Sequence, residues 1–406
     1  MIANASSSKV VDDQSLRIFL VAGEHSGDAL GAKLLAELRR RCGLQLIVAG
    51  VGGQGMEEEG LASRFPMEEV AVMGPLNILP KLRHIIRRIN ETARAAVAWD
   101  PHVVVIIDSP EFTHPIARRI RKRAPHIPIV DYVSPSVWAW RPGRARKMRA
   151  YVDHVLALLP FEPEAHARLG GPACTYVGHP LSERLDWIAA LDPYALRDRL
   201  GLDPARAVLV VLPGSRASEV TRLMRPFGET VVRVARAHPH GVSVVLPVVP
   251  SVRALVEAEL QRWSHPVTLI ESEADKFAAF RLADAALAAS GTVTLELAVC
   301  GTPAVVAYKV DWIASRLRFL LKVPSIVLAN LVAGERIYPE HVQEEAEPEI
   351  LARSLAPLLI DSPERRRQRD LLRAIPGRLA LADSTPSARA ADVVLALATR
   401  GRLPVG

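Results

Sequence analysis

Two strings in this chain place hydroxyls, backbone amides and a cation where an anion can be held. In the first, the apolar run 284–289 stops at Ser290, Gly291 and Thr292, and a short helical pattern then carries one acid, Glu296. A strand ending in Ser-Gly-Thr at a helix start presents unpaired N–H groups and the positive end of a helix dipole. A diphosphate fits such a site, and a carboxylate one turn further on can accept both hydroxyls of a ribose. The same residues also read as an ordinary helix cap. In the second string, Gly214 and Ser215 lead to Arg216, a permanent cation on a glycine-flexed turn, able to fork two phosphate oxygens. For one arginine a surface salt bridge is the plain alternative. Two such devices on one sheet shift the reading toward a nucleotide diphosphate.

The third candidate is an acid. Asp108 ends the apolar run HVVVIID (102–108), where a partly desolvated carboxylate can take a proton from a sugar hydroxyl. Capping the helix that begins near Thr113 is an equally open role. No Asp-x-Asp follows a strand, so helix N-termini and Arg216, with no metal and no cofactor, are expected to neutralise a departing diphosphate. Glycosyl transfer from a nucleoside diphosphate needs a base for the acceptor but no strong acid, unlike glycoside hydrolysis with its two carboxylates. Glu24-His25-Ser26-Gly27-Asp28 and Asp108-Ser109-Pro110-Glu111 match neither a dinucleotide fingerprint nor a P-loop.

The elements that must position these residues are strands and helices in alternation. RIFLVAG (17–23), LQLIVAGV (44–51), HVVVIID, IPIVDYV (127–133), HVLALLP (154–160) and CTYVG (174–178) are apolar runs with helical stretches between most of them. A second series follows: AVLVVLPG (207–214), VSVVLPVV (242–249), VTLIES (267–272), DAALAAS (284–290) and PAVVAYKV (303–310). Continuous Val/Ile runs separated by helices imply parallel strands buried on both faces. The expected architecture is α/β, with two Rossmann-like domains whose parallel sheets face each other across a cleft and bind ligand at their carboxyl ends. The expected domains are 1–185 and 186–385, with a hinge in the segment that begins at His179. The amphipathic helix 386–400 is expected to pack back onto a domain or, as below, to exchange.

At 406 residues two domains are the natural prior, and 49% apolar with 5% aromatic residues suits Ala/Val/Leu-rich layers. Three scattered cysteines, without metal spacing, read as buried hydrophobes in a reducing compartment. The first 16 residues lack an apolar signal region, and no apolar run approaches the roughly 20 residues of a membrane span, so a cytoplasmic or surface-bound protein is expected. The charge of +7 admits anionic lipid or phosphorylated small molecules. Nucleic acid ranks last, since no zinc finger, RNP-like aromatics or basic zipper helix is present.

Two stretches bear on an acceptor. Met73 opens a proline-flanked loop, and Leu76, Ile78, Leu79 and Leu82 are then interleaved with Lys81, Arg83 and Arg87. An apolar face edged by arginine resembles an interfacial membrane helix, and equally an ordinary core-facing helix with a cationic outer face. Trp138 to Lys147 can hold an anionic head group, or form a solvated charge run over packed tryptophans.

YVSPSVWAWR (132–141) is a long and compositionally odd string. Together with VAGEHSGD (21–28), AVMG (71–74), IIDSPEF (106–112), LPFE (159–162), GHP (178–180), LPGSR (212–216), SGTVTLE (290–296) and NLVAG (330–334), it closely resembles the lipid-A-disaccharide synthase family. The resemblance implies a GT-B glycosyltransferase that joins UDP-2,3-diacylglucosamine to 2,3-diacylglucosamine 1-phosphate (lipid X) through a β-1,6 bond. It implies no metal, a peripheral position on the anionic inner face of the cytoplasmic membrane of a Gram-negative cell, and homodimers with exchanged C-terminal segments. It places the proposed base on Asp108 and nucleotide or active-site roles on Arg216, Asn330, Ser290, Gly291, Thr292 and Glu296. First-domain contacts fall to Glu24, Ser26, Gly27, Asp28, Met73, Trp138 and Arg141. His25 and Ala329 depart from the family pattern, the second beside Asn330. The alternatives are another GT-B enzyme using UDP-N-acetylglucosamine, either a lipid-acceptor transferase or a 2-epimerase, and a non-enzymatic nucleotide-sugar binder.

Overall fold

The computed structural model describes residues 15–70, 75–139, 141–310 and 324–400, with the side chains of 75–81 and 400 outside the description. The chain forms two compact units, residues 1–180 with 382–406, and residues 181–381.

In the first unit, six parallel strands lie in the order β2-β1-β3-β4-β5-β6. They are β1 (Leu16–Ala22), β2 (Leu46–Val51), β3 (Val103–Ile107), β4 (Ile129–Tyr132), β5 (His154–Ala157) and β6 (Ala173–Tyr176). Every residue of β3 is buried, because helices cover both faces. On one face Leu20, Val105 and Ile107 pack with Leu34, Leu35 and Leu38 of α1 (His25–Cys42). The C-terminal helix Pro386–Arg400 joins this face through Ala390, Ala391 and Val394, and Arg41 donates to the Ala388 carbonyl at 3.0 Å. On the other face Phe19, Val104 and Ile106 pack with Ile89 and Ala93 of α3 (Pro75–Trp99) and with Ile116 and Ile120 of α4 (Pro110–Arg123).

The second unit repeats the plan in the order β12-β11-β10-β7-β8-β9, again parallel. Its strands are β7 (Ala207–Leu212), β8 (Val242–Pro247), β9 (Val267–Ile270), β10 (Ala285–Ala289), β11 (Ala304–Tyr308) and β12 (Glu340–Val342). The helix Ala217–Ala237 packs Val220, Leu223, Phe227 and Val231 against this sheet.

Three features differ from the sequence reading. α1 begins at His25, directly after Glu24, where the sequence places a loop over 24–28 and a helix from about Ala29, so Ser26, Gly27 and Asp28 lie in its first turn. The segment after His179 packs within the second unit: Arg281 donates to the carbonyls of Ile188 and Ala189, and Arg184 stacks on Trp187 and Phe277. β12 is a strand that three polar-flanked residues did not announce. In each sheet the strand order reverses once, between β1 and β3 and between β7 and β10, which is where doubly wound sheets open a crevice for ligands.

Candidate active site

At the reversal of the first sheet, the turns after β1 and β3 meet. Gly27 lets α1 approach closely, since a Cβ there would lie 3.0 Å from the Ile107 carbonyl oxygen. Ser26 then donates its hydroxyl to Asp108 Oδ2 at 2.9 Å, while the Ser109 N–H donates to Asp108 Oδ1 at 2.8 Å. The Asp108 carboxylate reaches no amide inside α4, whose N-cap, Ser109, makes no side-chain capping bond. Asp108 and Ser109 both have left-handed backbones, with φ of +53° and +43°. Two consecutive non-glycine residues in that region store strain of about 1 kcal/mol or more each, a pattern that concentrates at functional sites. The peptide is held there by the Asp108 N–H donating to Tyr132 O at 2.9 Å and by Thr113 Oγ1 donating to Asp108 O at 2.7 Å. Ser109 Oγ is buried without a partner among the described residues, a polar group that sequence reasoning did not single out.

Of the other first-unit candidates, Asp28 and Trp138 are tied into the fold. Asp28 is 6% exposed, and its carboxylate accepts the N–H groups of Gly53, Gly55 and Met56 at 2.7, 2.9 and 3.1 Å. It therefore caps α2 (Gln54–Glu58) and fixes the turn after β2 instead of facing a ligand. Glu24 is the extended N-cap of α1 and makes no side-chain cap bond. Trp138 packs edge-on to Phe161 and donates Nε1–H to buried Glu162 at 3.1 Å, so it anchors its loop. Burial pushes the Glu162 carboxyl up to about 7, against the lowering by the Leu159 and Trp138 donors. The loop begins and ends in strain, at Val133 (φ +87°) and Arg141 (φ +53°), and Ser134 Oγ lies 2.8 Å from His166 Nε2 beneath it.

Met73 lies outside the described residues, as do the side chains of Leu76, Ile78 and Leu79. Along the rest of α3, Ile85, Ile89, Ala93 and Ala96 face the core, whereas Leu82 and Ile86 are each 42% exposed. Arg83 and Arg87 line a surface cavity of about 730 Å³ with Arg64 and Arg94. No helix among the described residues is long and apolar enough to cross a membrane.

At the reversal of the second sheet is a cavity of about 660 Å³. Gly214, Ser215, Arg216, Ser290, Gly291, Thr292 and Glu296 all line it, with Lys276 and Glu219 beside them. The Arg216 side chain is 70% exposed, with one bond of 3.3 Å to Glu219 Oε1. The buried Glu219 accepts the Ser215 and Arg216 N–H groups at 3.1 and 3.3 Å. That helix start thus carries its own anion, which leaves the Arg216 guanidinium to meet a ligand. At 291–293 no such carboxylate intervenes: the first helical N–H to bond is that of Thr294, to Gly291 O at 3.1 Å. Gly291 has φ +147°, and a Cβ there would meet nothing within 4 Å, so the turn needs glycine and faces open space. Ser290 Oγ donates to Ile326 O at 2.7 Å and closes one side.

Glu296 receives both bonds of the Lys276 ammonium, at 3.0 and 3.1 Å. Lys276 also lies 4.7 Å from the Phe277 ring centroid. No spacing rule links residues on two separate helices, so the sequence held no signal for this pair. Asn330 sits outside the cavity lining and is 3% exposed. Its Nδ2 donates to Tyr338 O and Glu340 Oε1, and its Oδ1 accepts from the Ile337 and Tyr338 amides, all within 2.8–3.0 Å. Its hydrogen-bonding capacity is full, so it clamps the 330–340 turn and cannot also bind nucleotide without breaking that clamp.

The model of the family described as lipid-A-disaccharide synthetase matches residues 18–392. A lipid-A-disaccharide synthase of Nitrobacter winogradskyi is 51% identical over 386 residues, 94% of this chain and 95% of the relative. One of Rhodopseudomonas palustris is 49% identical over 397 residues, covering 97% and 98%. Among solved structures, UDP-GlcNAc 2-epimerase from Neisseria meningitidis bound to UDP-GlcNAc superposes with a TM-score of 0.64 at 13% identity, over 95% of this chain and 100% of that one. A glycosyltransferase from Rickettsia africae does so with a TM-score of 0.57 at 10% identity, over 96% and 99%. Those two share the fold; the sequence matches carry the assignment, and the chain belongs to the lipid-A-disaccharide synthetase family.

Proposed function

We propose that the protein transfers the sugar of UDP-2,3-diacylglucosamine to the 6-hydroxyl of 2,3-diacylglucosamine 1-phosphate, forming a β-1,6-linked disaccharide and releasing UDP. The observation that carries this reading is the second-sheet cavity, where exposed Arg216, the free amides after Ser290 and a carboxylate, Glu296, converge. In this mechanism the diphosphate lies between Arg216 and the 291–293 amides, and Glu296 accepts the ribose hydroxyls. Charge that develops on the departing UDP is met by donors already in place. Asp108, oriented by Ser26, takes the proton of the attacking 6-hydroxyl as the new bond forms at the anomeric carbon and the bond to UDP breaks, with inversion. The first unit holds the acceptor and the second the donor. An epimerase reading is less favoured, because it gives no work to an acceptor-facing base and an exposed apolar patch.

Peripheral attachment to an anionic membrane at α3 is part of the same reading. Exposed Leu82 and Ile86 beside Arg83, Arg87 and Arg94 supply apolar insertion and charge together. A homodimer with exchanged C-terminal segments remains an expectation from the resemblance, to be tested by sedimentation. The deciding assay incubates the protein with the UDP-sugar, with and without the phosphorylated acceptor, and follows UDP and disaccharide by mass spectrometry. Acceptor-dependent UDP release is expected; its absence overturns the reading. Replacing Arg83 and Arg87 by Ala is expected to weaken binding to anionic vesicles, and unchanged binding rejects the membrane patch.

A further inference from the structure

Two residues beyond Asp108, a second basic cavity opens in the first unit, of about 480 Å³, between the start of α4 and α5 (Gly143–Met148). Its lining carries four cations, Arg118, Arg141, Arg144 and Lys147, against one acid, Glu111. Glu111 is 79% exposed and touches Arg144 at 3.3 Å, a bond that solvent screens and an arriving anion can replace. Arg118 is held in place from below. Its guanidinium lies 4.7 Å from the Tyr151 ring centroid, and Nη2 donates to the Tyr151 hydroxyl at 3.2 Å. That hydroxyl is 3.0 Å from His114 Nδ1, and His114 Nε2 is 3.1 Å from Asp131, with both of these side chains 1% exposed. Arg118, itself exposed, thus rests on Tyr151, with His114 and Asp131 buried behind that ring. Arg141 enters the cavity from a left-handed backbone position, φ +53°, at the end of the strained loop.

Four cations gathered around one cavity repel one another, and a doubly charged anion relieves that repulsion. A phosphate monoester carries about −1.5 to −2 charges at pH 7 and offers oxygens to planar forks and an ammonium alike. Pro110, at the cavity edge, is two residues from Asp108, so that edge lies within about 7 Å of the Asp108 backbone. We propose that the cavity bounded by Arg118, Arg141, Arg144 and Lys147 is the subsite for the phosphate monoester of the acceptor sugar, which fixes the ring so that its far hydroxyl lies at Asp108. The proposal rests on the acceptor reading above and adds the groups that select it. It also makes phosphorylation at the anomeric position a requirement: a reaction that installs or retains that phosphate must supply the acceptor.

The test measures turnover in detergent micelles with two acceptors, 2,3-diacylglucosamine 1-phosphate and the same sugar without its phosphate. Wild type, Arg144→Ala, Lys147→Ala and the double variant are compared, with circular dichroism and the melting temperature as the check that each is folded. The double variant is expected to raise KM for the phosphorylated acceptor by at least about tenfold, the loss of one to two charge-assisted bonds. Donor KM and the rate with the dephosphorylated acceptor stay within about twofold, and Lys147→Arg retains the preference. An unchanged preference in the double variant overturns the proposal. So does a loss of binding to anionic vesicles with unchanged acceptor KM in micelles, which identifies a lipid-headgroup contact. If the wild type shows no acceptor-dependent turnover, the catalytic reading fails separately. Calorimetric titration with glucosamine 1-phosphate then reads the site alone: heat in wild type that vanishes in the double variant supports a phosphate site, and no heat in wild type rejects it.

Discussion

The carboxyl ends of β3 and β10 occupy comparable places at the reversals of two similar sheets, yet their residues are organised in opposite ways. After β3 the polar groups bond to one another: Ser26 to Asp108, Ser109 to Asp108, Thr113 to the Asp108 carbonyl, on a backbone strained at two successive residues. After β10 the turn Ser290–Thr292 lines a cavity together with Arg216 from the turn after β7, and glycine leaves the wall open. Strain and mutual bonding restrain one carboxylate, as the proposed proton acceptor requires. An open rim of amides and one exposed guanidinium tolerates movement of a bulky anion as it departs. The contrast reads as a division between a group that reacts and groups that hold.

That division is broken most directly at Asp108. Asp108→Asn keeps the Ser109 and Ser26 contacts geometrically possible but removes the proposed base. The expected loss in kcat is roughly 10²–10⁴-fold, with UDP affinity within about twofold by calorimetry. Turnover near that of wild type would make Asp108 a structural residue and end the contrast.

The second largest effect is expected in the support of the first-unit loop. Glu162, 3% exposed, ionises at about 7 instead of the ordinary 4.5, chiefly because burial penalises its charge. Between those values the unfolded chain has released the proton and the folded chain retains it. Stability therefore falls as pH rises through this window, and the loss is complete above about 7. The full shift corresponds to about 3 kcal/mol. His179 opposes it: burial lowers its imidazole to about 4, so folding excludes a proton there and stability rises with pH between about 4 and 6.5. The wild-type profile alone hides both. In Glu162→Gln the single amide oxygen can serve only one of the Trp138 and Leu159 donors, which lowers stability at every pH, but denaturant unfolding at pH 5 and pH 8 is expected to show the variant gaining about 2–3 kcal/mol on wild type over that interval. A constant difference would show that Glu162 does not titrate there.

The fold was legible wherever burial wrote a continuous apolar string. The runs around β1, β3 and β7 admit few other structures, because both faces of a central parallel strand must be apolar. β12 escaped because its three residues, Glu340–Val342, sit at a sheet edge, and Glu340 is there for polar reasons: its carboxylate accepts from the Ile326 amide and the Asn330 side chain. The lining of the second-sheet cavity was legible where one turn carries it, as at Gly214–Arg216 and Ser290–Thr292. It was not legible where chemistry depends on contacts between distant segments. Asp28 looks like a site residue in VAGEHSGD, and only the approach of Gly53–Met56 reveals it as a cap. Lys276 has no mark in the sequence at all. Asn330 carries a motif, but its partners lie seven, eight and ten residues on and use every bond it can make.

Next in size is Arg216, on the holding side. With 70% of its side chain exposed and one long bond to Glu219, it contributes little to the fold. Arg216→Ala is expected to weaken UDP roughly 10- to 30-fold, one lost charge-assisted contact to the diphosphate, and to leave the melting temperature nearly unchanged. Loss of kcat with UDP affinity intact would move Arg216 to the reacting side.

The smallest expected effect sharpens the contrast most, because at Lys276 and Glu296, as at Glu219 with its Ser215 and Arg216 donors, the second-sheet cavity resembles the first, with polar groups bonded to each other. Both side chains are only partly exposed, at 25% and 20%, so the pair survives solvent screening better than a surface pair. If the ammonium orients the carboxylate toward the ribose, Lys276→Met leaves Glu296 free to rotate. UDP binding should then weaken about three- to tenfold, and 2′-deoxy-UDP should weaken far less, since it never made the full ribose contact. If instead the ammonium competes with the ribose for Glu296, the same substitution tightens UDP. The ratio of the two affinities before and after substitution separates orientation from competition, and orientation is the expected outcome because both Glu296 oxygens bond one ammonium at nearly equal distances.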